Sequence, residues 1–148
     1  MAVHTYGTTN LSFSSFDTWS NNVSSDSNVT MNDALGDAVP TNSNPTAASE
    51  IYNNNWFHGQ LQVSTGGFVD VSATGYSLAD QSGTVTLKNV NLDESNLTLT
   101  ADETAAYPRT FQRWRAGGSG GTEIQTGVTL TLTSATQTST TIFYAEFS

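Results

Sequence analysis

Cysteine is absent from this 148-residue chain. Without thiols there is neither a disulfide framework nor a thiolate ligand. With only two histidines, a tetrahedral zinc site is not expected. Positive charge is almost as scarce: four Lys and Arg stand against 13 Asp and Glu, for a net charge of −9. Proteins that bind nucleic acid rely on Lys and Arg to meet phosphates, so no nucleic-acid partner is expected. No apolar run reaches 18 residues, so neither a transmembrane helix nor a membrane partner is expected. No basic segment followed by an apolar stretch comes after Met1, and a Sec-type signal peptide is not expected. No catalytic motif is present either. The chain reads as a non-enzyme that needs no cofactor and no metal.

Hydroxyl and amide side chains dominate instead, with 24 Thr, 18 Ser and 13 Asn. Charge is unevenly spread. All four cations, Lys88, Arg109, Arg113 and Arg115, fall in one short stretch, and residues 1–87 hold seven acids with no Lys or Arg. Such a stretch repels anionic surfaces and favours basic ones. Two readings stay open: a solvated acidic surface that keeps the protein soluble, or an arm that lies on a basic partner or gathers cations.

Two regions differ in pattern. Over residues 1–57 the apolar residues come singly or in pairs between turn formers such as Ser24-Ser25-Asp26-Ser27-Asn28. This composition predicts an extended, mostly irregular N-terminal arm. Its aromatics argue against pure disorder, and a partner or neighbouring copy is expected to order it. Two short helical turns are predicted. One lies at Asn32-Asp33-Ala34-Leu35-Gly36, between an N-cap and a glycine stop; the other begins at Pro45 and runs to Tyr52.

Residues 58–148 show a period of two. Leu61-Gln62-Val63, Phe68–Val71, Thr84–Lys88, Asn96–Thr100, Thr110–Trp114, Gly127–Thr133 and Thr140–Phe147 alternate apolar with hydroxyl or polar residues, and Gly- and Asx-rich clusters separate them. Alternation gives one buried and one wet face, and Thr suits both the pleat and the water. The predicted class is mainly β: an antiparallel β-sandwich or barrel-like module. Val128, Leu130 and Leu132 are expected to point inward together. Strict alternation puts Arg113 and Arg115 on one face with Phe111, and Trp114 on the opposite, core-facing side. The sequence leaves open whether residues 61–82 join the C-terminal sheet.

Two resemblances follow. Residues 83–148 resemble the divergent internalin B-type repeat of bacterial and phage surface proteins. The likeness rests on Asn96–Ala101, on Tyr107, Phe111 and Trp114, on the glycines between Gly117 and Gly121, on Val128–Thr133, and on Ala145-Glu146-Phe147. It implies a small β module used for spacing or adhesion, without catalysis. Leu11-Ser12-Phe13-Ser14-Ser15-Phe16, Ala34-Leu35-Gly36 and Ser49-Glu50-Ile51-Tyr52 resemble phrases of small virion proteins of tailed bacteriophages, although the spacing departs and no basic residues follow the tyrosine. That resemblance implies a virion structural protein assembled in the host cytoplasm, with a capsid decoration (cement) role as the leading expectation. Its partners would be other virion proteins (the major capsid protein or tail proteins), and it would form a homo-oligomer. A small tail or fibre-associated component is one alternative; a surface adhesion or carbohydrate-binding β module is another.

The candidate partner-binding residues are Phe13, Phe16, Trp19, Tyr52, Trp56 and Phe57, as anchors in the arm, with Arg113 and Arg115 as cations able to pair with acids of a neighbour or stack on a ring. Asp26, Asp33 and Asp37, with Asn28 and Asn32, offer oxygen ligands but lack the spacing of a calcium loop, and Asx turns explain them equally well. His4 and His58 have no sequence-adjacent catalytic companion. The paired acids Asp93-Glu94 and Asp102-Glu103 lie in turns, where they point apart rather than across a cleft.

Overall fold

A computed structural model describes residues 3–5, 55–136 and 140–148, which form two packed sheets. In chain order the strands are β1 (Val3–Thr5), β2 (Asn55–Val63), β3 (Val69–Ala73), β4 (Tyr76–Gln81), β5 (Thr84–Asn91), β6 (Leu97–Ala101), β7 (Phe111–Ala116), β8 (Thr122–Gln125), β9 (Thr129–Leu132) and β10 (Ile142–Phe147). No helix occurs among the described residues. The predicted helical turns, the arm anchors Phe13, Phe16, Trp19 and Tyr52, and the acids Asp26, Asp33 and Asp37 lie outside them.

The first sheet runs β1-β2-β10-β7-β8, with β5 on the other edge of β2; the second runs β4-β3-β6-β9. All pairings are antiparallel except β2 with β10. The chain crosses between sheets repeatedly, so most strands close contacts with partners distant in sequence. Residues 61–82 belong to the module: Leu61–Val63 pair with β10, and β3 pairs with β6. β2 begins at Asn55, so the change of pattern read at residue 58 falls inside that strand.

The alternating positions build the core. Phe57, Leu61, Leu87, Val90, Trp114, Phe143 and Ala145 from the first sheet meet Val69, Val71, Leu97, Leu99, Leu130 and Leu132 from the second. Burial of such side chains is the main stabilising term, about 1.5–3 kcal/mol for each large aliphatic one. The Thr residues between them stay at the surface or half-buried, as in Leu97-Thr98-Leu99-Thr100-Ala101. The crossing from β2 to β3 turns tightly at Gly67, where an added Cβ would collide with the Phe147 ring.

Two inward assignments differ from strict alternation. Phe147 pairs with Phe111 while Glu146 pairs with Arg113, so Gln112 is an extra residue in β7. This bulge shifts the phase by one. Phe111 therefore turns inward beside Trp114, at a ring-centroid distance of 5.2 Å, instead of sharing the arginines' face. Val128 precedes the first paired residue of β9 and is 44% exposed, whereas Leu130 and Leu132 are buried. Its carbonyl accepts from the Ala101 N–H at 2.9 Å, which holds the backbone there without burying the side chain.

Candidate functional site

The outer face of the first sheet gathers its charge on three adjacent strands. Arg113 and Arg115 extend from β7, Glu123 from β8 and Glu146 from β10. The register brings them together, since Glu146 lies opposite Arg113 and Glu123 opposite Arg115. An Arg113 Nη donates to Glu123 Oε2 at 2.6 Å, and Arg115 Nε donates to Glu146 Oε2 at 2.8 Å. A second Arg115 N–H donates to the Gly121 carbonyl at 3.1 Å. Arg113 Nε lies 3.3 Å from Glu146 Oε2, close enough for ionic attraction but without hydrogen-bond geometry. Two cations and two carboxylates make a locally neutral cluster.

The carboxylates expected from a neighbour are thus supplied by this chain. Both side chains of the Arg113–Glu123 pair are more than a third exposed, so water screens it and it adds little to stability. Arg115 with Glu146 is more sheltered and ties the outer faces of β7 and β10 together.

The aromatic candidates divide. Phe57 is fully buried, packed against Phe143 at 6.0 Å between ring centroids. This corrects its reading as a partner anchor: a ring already enclosed by its own core has no face to offer a neighbour. Trp56 lies on β2, opposite His4 of β1. Trp114 occupies the core as expected, with Nε1–H donating to the Gly127 carbonyl at 3.0 Å. It therefore provides no flat exposed platform for a sugar. Tyr107, 84% exposed in the loop before β7, stands out instead. Tyr76 is half-buried, and desolvation of its phenolate raises the hydroxyl's pKa above the ordinary value.

Three carboxylates also converge on the second sheet. Oxygens of Asp70, Asp80 and Asp102 lie within 4.8 Å of one another. Asp70 sits on β3, Asp80 in the irregular pairing near the end of β4, and Asp102 just after β6. Asp80 has φ of 54°, and its N–H donates to Asp70 Oδ1 at 2.9 Å. Asp102 Oδ1 accepts from the N–H groups of Thr104 and Ala105 at 2.8 and 3.0 Å. Clustered carboxylate oxygens are the ligand type that hard cations such as Ca²⁺ take, although Ca²⁺ needs six to eight oxygens in all. The trio is not legible in the sequence because its members are spread over 33 positions. Only the order β4-β3-β6 makes them neighbours, and no short motif records that order.

The remaining acids serve the backbone or face solvent. Glu103 accepts from the Phe111 N–H at 2.9 Å and so fixes the entry to β7. Asp93 and Glu94 are exposed in the turn that the buried Asn91 organises: Asn91 Oδ1 accepts from the Asp93 N–H, and its carbonyl from the N–H groups of Glu94 and Ser95. Comparison with protein-family models, curated proteins and solved structures found no match to this chain.

Proposed function

We propose that this chain is a non-catalytic structural protein of a tailed phage virion, acting as a capsid decoration protein that binds neighbouring subunits and stabilises the particle. The observation that carries the reading is the seating of β1. A strand from the extreme N-terminus lies in register on β2, Val3 opposite Phe57 and Thr5 opposite Asn55, although 49 residues separate the two strands. The module thus accepts an added strand from a remote segment, the means by which extended arms join subunits. Two further features support it. Residues whose pattern resembles surface-protein repeats supply β5 to β10, and the outer charge cluster is internally neutralised, as suits a rigid spacer.

Peptide mass spectrometry of density-purified particles from the source that encodes the chain tests this. A copy number comparable to that of the major capsid protein is expected. A few copies per particle would move the assignment to the tail, and absence from particles would overturn the virion reading.

A further inference from the structure

We infer that β1 is an exchangeable strand: in an assembly of this chain, the slot beside Asn55–Phe57 on β2 is filled by Val3–Thr5 of a second copy. The inference rests on strand pairing and does not require the virion reading.

The slot has defined ends. Along one edge of β2, residues Gln60–Val63 are taken by β10, which runs parallel to them. The approach of β10 ends at Gly59. There Gln60 N–H donates to the Thr141 carbonyl at 2.7 Å, and a Cβ on Gly59 would stand 2.5 Å from that same oxygen. Beyond this point lie Asn55–His58, and on that edge β1 pairs with Asn55, Trp56 and Phe57.

The connection has enough residues to permit exchange. The β3–β4 hairpin is joined by Thr74 and Gly75 alone, so those strands cannot pair with different copies without breaking the turn. β1 reaches β2 through residues 6–54. That length spans up to about 160 Å when extended, against a radius of gyration of about 12 Å for a domain of this size. The same three residue pairs form whether β1 comes from its own chain or from another, so the choice is set by effective concentration rather than by contacts. Packing copies side by side in a symmetric assembly raises that concentration, and exchange of an identical element is a low-cost route to association.

Charge does not oppose a second copy at this edge. The protein carries −9, and two copies repel over most of their surface. Residues 1–16 contain no acid, and neither does any position of β2 from Asn55 to Val63. Donor and acceptor can therefore meet without bringing carboxylates face to face.

The absence of native cysteine allows a direct test. Thr5→Cys and Asn55→Cys occupy opposed positions of the β1–β2 ladder. The two single variants are mixed, incubated over a range of concentrations, oxidised and run without reductant, beside a control mix of Thr5→Cys with Ser82→Cys. Circular dichroism matching the parent checks each fold. The expected result is a covalent heterodimer that grows with concentration and exceeds the control by about tenfold or more, while the double variant closes on itself when dilute. His4→Cys with Trp56→Cys repeats the measurement one register position away. Heterodimer no greater than control at every concentration, with the double variant closing only within its own chain, would overturn exchange. A double variant that fails to close at all would also overturn it, because β1 would then not occupy the slot. Neither result depends on whether the chain is found in particles.

Discussion

The Trp114 indole is held at both ends. Its ring lies in the core against Phe111, and its N–H is satisfied by the Gly127 carbonyl. Trp114→Ala is expected to destabilise by about 3–5 kcal/mol through lost burial and the cavity left behind. Trp114→Phe should cost less, on the order of 1–2 kcal/mol, since Gly127 is exposed and water can take the freed carbonyl. Urea unfolding followed by circular dichroism measures both. Tyr76 gives a pH-dependent counterpart. Burial raises its folded pKa above the unfolded value of 10.0, so the folded state holds the proton more tightly. The resulting stability is present in full below pH 10 and declines as pH rises from there through the folded pKa. Tyr76→Phe should flatten that alkaline decline in a series of melts across the range. Equal slopes for the two proteins would remove the assignment.

Among the elements, strands with a buried face were legible from sequence and short, mostly exposed edge strands were not. Leu97-Thr98-Leu99-Thr100 shows strict alternation and Ile142–Phe147 is rich in apolar residues, and they form β6 and β10 where expected. β4 was missed because Tyr76–Gln81 is an edge strand with few buried positions, and its pairing with β3 is irregular next to Asp80. β8 was missed for a similar reason: Thr122–Gln125 is mostly exposed and carries Ile124 as an extra residue in its pairing with β7. Bulges and short lengths blunt edges against unwanted pairing, and they also erase the period-two signal. Of the charge cluster, Arg113 and Arg115 were recognisable as a pair on one face. Their acids were not, since Glu123 and Glu146 become neighbours only through register. Gly59 is the element-scale test. Its backbone faces the Thr141 carbonyl too closely for a side chain. Gly59→Ala should lower the urea midpoint and weaken the junction of β2 with β10, whereas Gly83→Ala is no steric control, because its φ of 70° strains any side chain. Gly120→Ala, with open space around it, should be close to neutral by comparison.

For the whole molecule, a sandwich whose strands alternate between sheets combines a self-contained core with one edge completed from the far N-terminus. Among the described residues, the buried core runs from Phe57 to Phe147. On the proposed reading, the added strand is the part that links the module to an assembly. Amide hydrogen exchange, read on the free chain and again on the chain within its particle, tests this division most directly. The expected result is strong protection of β2, β3, β6, β7 and β10 in both states, with protection gained on assembly over residues 1–54. Identical exchange over residues 1–54 in the two states would contradict an assembly role for the N-terminal segment and leave a self-sufficient β module in its place.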